Sequence, residues 1–106
     1  MIPKDKLLLS TYKRNDDWHK VRRLHLKLHP QCEVCGATKR LAAHHIRPYQ
    51  WFPKLEMEPG NLITLCDTHH LFIGHLNQWS SYNPNVVADA AEWRERIKNR
   101  PKWKLM

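Results

Sequence analysis

Four soft metal ligands occur in two pairs with the same spacing, and this arrangement constrains the fold more than any other feature of the chain. Cys32 and Cys35 form a CxxC motif, and Cys66 and His69 follow with the same two-residue gap. Two intervening residues in a tight turn bring both side chains of a pair onto one small cation, and Gly36 lets the chain double back. The pairs predict a structural Zn²⁺ site of the Cys3His type. The alternatives are unrelated buried cysteines and a redox CxxC, and the latter leaves Cys66 and His69 without a role.

The length of the chain favours one domain that depends on the metal. A chain of 106 residues suggests a single domain, and its central segment is too small to bury a self-sufficient core. Bound zinc would supply the missing stability, and the five tryptophans can anchor flanking segments onto it. We predict one domain over 1–106, composed of a basic arm (1–15), a flanking helix (16–29), a metal-binding centre (32–79), a second flanking helix (84–100) and a basic tail (101–106).

The charge of the chain favours a polyanionic partner. The formal net charge is +8, so nucleic acid is the leading partner, an anionic membrane surface is second, and a basic domain without a polyanion is the remaining alternative. No apolar run is long enough to predict a signal peptide or a membrane span. Three cysteines cannot close a disulfide framework, which favours a reducing cytoplasm.

Two amphipathic helices are predicted at either side of the metal-binding centre. The first begins at Asp16 or Asp17 and ends near His29, before Pro30. The second runs from Pro84 or Asn85 to Arg100. The predicted packing residues are Trp18, Val21, Leu24 and Leu28 in the first helix and Val87, Ala90, Ala91, Trp93 and Ile97 in the second. The basic residues Lys20, Arg22, Arg23 and Lys27 either contact phosphates or form a solvated face.

Two pairs of adjacent histidines are expected to divide their side chains between two sites. A strand over 39–46 points His44 and His45 to opposite faces, so both cannot bind one metal ion. A second strand is predicted over Leu62–Leu65, and a helix begins at Asp67 and Thr68. Adjacent residues of a helix diverge by about 100°, so His69 and His70 address two different ions.

The order of these features resembles the HNH, or ββα-metal, endonuclease family. The resemblance rests on CEVCG at 32–36, HHIRP at 44–48, the asparagine of GNLITLC at 60–66 and the final histidine of CDTHH at 66–70. It implies an α+β fold in which a small zinc-stabilised ββα module is flanked by the two helices. It also implies that His44 and His70 hold a catalytic divalent cation, that His45 is the general base, and that Asn61 pins a long loop.

Two further residues near these motifs keep more than one interpretation. In the nuclease colicins, which share the family, another histidine follows the helix histidine by four, whereas here that position is Gly74 and His75 comes next. On an unbroken α-helix five residues turn the side chain about 140° away, which argues against shared coordination. If Gly74 ends the helix, His75 can return as a third ligand or a phosphate contact. Arg47 either holds a phosphate or remains a surface residue.

The activity that the resemblance implies is metal-dependent hydrolysis of DNA phosphodiester bonds, by nicking or by weakly specific cutting. Its partner is DNA, bound mainly through the phosphate backbone, with a phage packaging or recombination complex as a possible setting. Many members place an aspartate where this chain has His44, a softer ligand, so Mn²⁺, Ni²⁺, Co²⁺ or Zn²⁺ should compete well with Mg²⁺. The alternatives are a zinc-stabilised nucleic-acid-binding module without catalysis and a protein-interaction adaptor.

Overall fold

The computed structural model describes residues 16–100. The predicted basic arm and basic tail lie outside these residues. Along the described chain the elements are helix α1 (Trp18–Leu28), strand β1 (Leu41–His45), two short 3₁₀ turns (Pro53–Leu55 and Pro59–Asn61), strand β2 (Leu62–Cys66), a one-turn helix α2 (Asp67–His69) that continues as a π-helical turn (His70–Gly74), and helix α3 (Val86–Lys98). The fold is α+β, as predicted, and its central part is a ββα module.

The two strands form an antiparallel hairpin whose register sets the position of both histidines. Leu41 pairs with Cys66 at one end and His45 pairs with Leu62 at the other. The five residues of β2 are all buried, so both faces of this small sheet are covered. Since side chains alternate along a strand, His44 and His45 enter different layers of the molecule.

Each face of the hairpin packs against a different helical element. Leu65 and Ile63 face the main core, which they form with Ile73 of the π-helical turn and with Val86 and Ala90 of α3. On the other face, the hydroxyl of Thr64 donates a 2.8 Å hydrogen bond to the carbonyl oxygen of His29, at the end of α1. The hairpin is therefore sandwiched between α1 and the C-terminal helices.

Helix α1 forms where it was predicted, but its buried face is rotated relative to the prediction. Trp18 is buried, whereas Leu24 and Leu28 are 57% and 64% exposed. The half-buried residues are instead Val21, Arg22, His25 and Leu26. Asp17 occupies the N-cap position without a side-chain capping bond. The prediction from the spacing of four apolar residues is therefore right for Trp18 and Val21 and wrong for Leu24 and Leu28.

Helix α3 differs from its prediction in a similar way. It begins at Val86, and Val86 and Ala90 are buried while Val87 is 53% exposed. Trp93 and Ile97 are partly buried against the core, as predicted. The start of the helix is set by Asn83, whose side-chain oxygen accepts a hydrogen bond from the backbone amide of Asn85 at 2.9 Å. None of the helices within 16–100 combines the length and apolar character needed to cross a membrane.

Candidate functional site

The predicted Cys3His group is confirmed by the geometry of the CxxC turn at residues 32–35, here called the knuckle, and of α2. The ligand atoms of Cys32, Cys35, Cys66 and His69 all lie within 4.8 Å of one another. Sγ of Cys66 is 3.9 Å from Sγ of Cys35 and 3.3 Å from Nδ1 of His69. Tetrahedral zinc with bonds of about 2.3 Å to sulfur and 2.0–2.1 Å to nitrogen requires ligand separations of about 3.5–3.8 Å. The donors are therefore spaced to hold one Zn²⁺ ion.

Backbone hydrogen bonds position the ligands of the Cys3His group. The amide of Gly36 donates to the carbonyl oxygen of Cys32 at 2.9 Å, and Gly36 adopts a φ of 78°, which a side chain would strain. The amide of Glu33 donates to the carbonyl oxygen of Thr64 at 2.9 Å, which ties the knuckle to β2. Both halves of the group are thus fixed to the same strand.

The thiols of the group cannot all ionise unless a cation is present. Burial opposes ionisation of Cys32, but hydrogen bonds from the backbone of Cys35, Cys66 and Val34 outweigh it and lower the pKa of this thiol. Desolvation and the neighbouring Cys32 raise the pKa of Cys35 to about 11. A bound divalent cation would favour the ionised form of these thiols, because thiolates are its ligands.

The second cluster contains three imidazoles on the opposite side of α2. The ligand nitrogens of His44, His70 and His75 lie within 4.8 Å of one another. His44 is 4% exposed, and its Nε2 atom is buried with no hydrogen-bond partner among the described residues. A buried polar atom without a partner is costly unless it binds something, and neutral imidazole is a common ligand of transition metals. These residues fit a divalent cation.

The π-helical turn explains why His75 lies beside His70. The amide of His75 donates to the carbonyl oxygen of His70 at 3.1 Å, an i→i+5 bond. In such a turn, residues five apart lie one above the other. The condition of an unbroken α-helix, which would turn His75 away from His70, is therefore not met. Gly74 is the last residue of the turn, as the alternative required, and His75 lies beside His70.

Hydrogen bonds determine which nitrogen His75 presents to this cluster. Its Nδ1–H donates to the carbonyl oxygen of Ser81 at 2.7 Å, so the lone pair of the neutral ring is on Nε2. That Nε2 is 3.3 Å from Nε2 of His70. Two nitrogens on a tetrahedral ion with bonds of about 2.0–2.1 Å are about 3.3–3.4 Å apart. The pair is thus already at the separation that shared coordination requires.

Burial and the neighbouring imidazoles keep His44 and His70 neutral at physiological pH. Burial, with the neighbouring His70 and His75, lowers the pKa of His44 to about 3. Burial and His75 lower the pKa of His70 to about 4. Both rings therefore offer lone pairs without first losing a proton.

His45 points away from these three imidazoles and is held by contacts with other residues. Its ring stacks on Trp18, with a centroid distance of 4.5 Å, and its Nε2–H donates to the carbonyl oxygen of Glu56 at 3.0 Å. A carbonyl oxygen only accepts, so the lone pair of the neutral ring is on Nδ1. His45 therefore lies outside the cluster of His44, His70 and His75.

Asn61 joins both ends of the loop that follows β1. Its side-chain oxygen accepts a 2.9 Å hydrogen bond from the amide of Arg47, and its amide nitrogen donates to the carbonyl oxygens of Arg47 and Leu55 at 3.0 and 3.1 Å. The residue is 6% exposed. The loop that carries the acceptor for His45 is thereby closed onto the hairpin.

The cluster of three histidines and the separate His45 open into one cleft of about 540 Å³. His44, His45, His70 and His75 lie along it, and Trp18 and Arg22 of α1 form part of its wall. Of the helix cations predicted to contact phosphates, only Arg22 lines the cleft. Lys20 is 3.6 Å from a carboxylate oxygen of Asp17, and Arg23 and Lys27 are exposed on α1.

Arg47 lies outside the lining of this cleft. It is exposed, and its guanidinium lies over the ring of Phe52 at 5.4 Å. In the same loop, Tyr49 and Phe52 are half-buried, while Trp51 is 56% exposed.

Several residues that shape the site were not singled out from the sequence. Glu56 and Ser81 act through backbone carbonyl oxygens, which carry no sequence signal. Asn83 is buried, and its amide nitrogen donates to the carbonyl oxygen of Ile73 at 3.1 Å, while its backbone amide donates to that of Gly74 at 3.0 Å. The Asn-Pro dipeptide at 83–84 is a turn signal that could have identified Asn83.

Comparison with known proteins agrees with this geometry. Residues 32–77 match the model of the family described as HNH endonuclease. Neither the curated proteins nor the solved structures gave a match to the chain. The matched segment begins at the first cysteine of the knuckle and extends past His75, so it contains both histidine pairs and the Cys3His group. Residues 32–77, which are fewer than half of the chain, are therefore similar in sequence to the HNH endonuclease family.

Proposed function

We propose that this protein is a metal-dependent DNA endonuclease that hydrolyses phosphodiester bonds. The observation that carries the proposal is the separation of the adjacent residues His44 and His45. His44 joins His70 and His75, and its buried Nε2 has no hydrogen-bond partner within residues 16–100, whereas His45 faces the same cleft from another direction. Hydrolysis of a phosphodiester needs both a cation site and a separate base, and this arrangement supplies them.

His45 is the general base of the proposed reaction. Its Nε2–H is bound to the carbonyl oxygen of Glu56, so Nδ1 is the atom that takes a proton from the attacking water. The stacked ring of Trp18 and the Glu56 contact hold the imidazole in one orientation. Asn61 contributes indirectly, because its three hydrogen bonds keep the loop containing Glu56 against the hairpin.

His44, His70 and His75 are the proposed ligands of one catalytic divalent cation. When bound, this cation would neutralise charge on the scissile phosphate and on the departing 3′ oxygen, which leaves 5′-phosphate and 3′-hydroxyl ends. Three imidazoles form a softer ligand set than carboxylates. Mn²⁺, Co²⁺, Ni²⁺ or Zn²⁺ should therefore support activity better than Mg²⁺. His69 belongs to the other ion, the structural zinc.

DNA is the proposed substrate because the chain has a net charge of +8 and because Arg22 lies in the wall of the cleft. Arg23, Lys27 and Arg47 are exposed cations that can bind phosphates further along the backbone. Reduced thiols are required for the zinc group, so a reducing compartment such as the cytoplasm suits the protein. Work within a phage packaging or recombination complex is compatible with this activity.

The test combines metal analysis with nicking of supercoiled plasmid. We expect one zinc per chain after dialysis, and nicking on addition of Mn²⁺, Co²⁺ or Ni²⁺. His45→Ala should lower the nicking rate by about 10²–10⁴-fold, because it removes the base, without loss of zinc or of the circular dichroism spectrum. The matched control is His19→Ala, because His19 is an exposed histidine of α1 and should be dispensable.

Two results would contradict the proposal. One is nicking by His45→Ala at the rate of the unmodified chain. The other is retention of zinc and of plasmid binding with no cleavage under any divalent cation, which would identify a nucleic-acid-binding module without catalysis.

A further inference from the structure

Two exposed tryptophans stand at the cleft beside the proposed catalytic residues. Trp51 is 56% exposed and Trp79 is 60% exposed, and both line the cleft. Full exposure of large rings is unfavourable in water. Trp18 and Trp93, in contrast, are buried or half-buried and pack the helices. The exposed pair therefore differs from the tryptophans that stabilise the fold.

The position of Trp79 ties it to the histidine cluster. Its ring lies 5.1 Å from the ring of His70 and 4.9 Å from that of His75, measured between centroids. The contacts are edge-on or tilted, so a large part of the indole surface remains open. The indole of Trp79 is therefore within reach of the base of a nucleotide whose phosphate binds the histidine cluster.

Trp51 extends the aromatic surface from the loop after β1. Its ring lies 5.6 Å from that of Tyr82, and both rings line the cleft, as does Tyr49. A cleft of about 540 Å³ is in the size range of sites that hold one small organic ligand or nucleotide. The wall also contains Arg22, which suits an anionic ligand with an aromatic part.

Bases can stack on such an aromatic surface only if they are unpaired. In a duplex the base faces are stacked on each other, and only base edges are presented in the grooves. Unpaired bases can be splayed out and stacked on aromatic side chains, an interaction that tolerates any sequence. Aromatic faces beside a phosphate site therefore favour unpaired nucleotides.

We infer that Trp51 and Trp79 form a stacking site for unpaired bases, so that the substrate is DNA with unpaired nucleotides next to the cleaved bond. This inference rests on the proposed function, because it places the scissile phosphate at the histidine cluster. The stacking site selects the structure of the DNA and leaves its sequence unspecified.

A binding experiment tests the site without cleavage. In the His45→Ala background, fluorescence anisotropy is measured with a labelled oligo(dT) of about 12 nucleotides and with a blunt duplex of the same length. Oligo(dT) should bind at least about fivefold more tightly. Trp51→Leu or Trp79→Leu should each weaken oligo(dT) binding by about tenfold and change duplex binding by less than about twofold. Trp79→Phe, which keeps an aromatic face, should restore most of the lost affinity.

The matched control is Trp93→Phe, since Trp93 is half-buried on α3 outside the cleft. It should bind both oligonucleotides like the parent. Equal affinity for oligo(dT) and duplex, or no effect of Trp51→Leu, would overturn the inference.

A cleavage experiment separates this inference from the proposed function. The chain with its native His45 is given a duplex with a short central bubble and the fully paired duplex, and the bubble should be cut about tenfold faster. Trp51→Leu should reduce that ratio toward one. Equal cutting of both substrates would refute the stacking site and would leave the proposed nuclease activity supported. Absence of cutting in any metal refutes the nuclease, and the binding comparison then decides the stacking site on its own.

Discussion

Substitution of Gly74 by alanine is the most direct test of the histidine cluster. A Cβ atom at this position would lie 3.1, 3.2 and 3.3 Å from Cε1, Nδ1 and Nε2 of His44. Carbon atoms in good contact are about 3.5–4.0 Å apart, so the ring must retreat by a few tenths of an ångström. His44 is 4% exposed and has little room to do so.

The change in stability on Gly74→Ala is the difference between two opposing contributions. Overpacking a buried site costs about 1–3 kcal/mol. Alanine for glycine in an unstrained backbone contributes about 0.4–1 kcal/mol of stability, and Gly74 is not among the residues with positive φ. We therefore expect Gly74→Ala to lose about 1–2 kcal/mol, which corresponds to a drop of several degrees in Tm. The affinity for the catalytic cation should fall by about 10–100-fold, because a ligand has moved.

Gly60→Ala is the matched control for this experiment. The nearest atom to its added Cβ would be a carboxylate oxygen of Glu58 at 3.8 Å, which is an ordinary contact. Urea unfolding and calorimetric titration with Mn²⁺ are compared for the two variants, together with zinc content. Gly60→Ala should match the unmodified chain in stability, in affinity for Mn²⁺ and in zinc content.

The reasoning would be refuted if Gly74→Ala were as stable as Gly60→Ala and bound Mn²⁺ equally well. That result would mean that His44 moves freely, and that its position does not depend on contact with the π-helical turn.

Three further predictions follow from the same contacts. Because burial lowers the pKa of His44 to about 3, the unfolded state takes up protons first as the pH falls below about 6.5, and this residue alone should cost about 2 kcal/mol of stability at pH 5.0 without added cation. The lowered pKa of His70 adds a loss of the same sign, so His44→Gln should reduce the pH slope in urea unfolding without abolishing it. Cys66→Ser should lose the zinc and the cooperative thermal transition, measured by metal analysis and calorimetry, and full retention of both would refute the zinc assignment. Asn61→Ala removes three hydrogen bonds, so amide exchange in the loop 47–55 should accelerate and nicking should fall by about tenfold or more with zinc retained; unchanged exchange would argue against the closing role of Asn61.

The structure corrects the sequence predictions where a choice between neighbouring positions had to be made. Leu24 and Leu28 share a helical face with Trp18 in the sequence pattern, yet both are exposed in α1 while Trp18 is buried. Val87 was chosen as a packing residue, and the neighbouring Val86 takes that place. In both cases the periodicity predicted the helix, while the angle at which the helix meets the hairpin selected the face.

The sequence by itself determined the Cys3His group, the existence of the helices and strands, and the opposite directions of His44 and His45. These features depend on short-range geometry, namely two-residue ligand gaps, helical periodicity and the alternation of side chains along a strand. Only the tertiary structure decided that His75 joins His70 and that Trp51 and Trp79 meet at one cleft. The physical reason is that the π-helical turn is held by Asn83, which donates hydrogen bonds to the carbonyl oxygens of Ile73 and Gly74 from the connection that follows the turn.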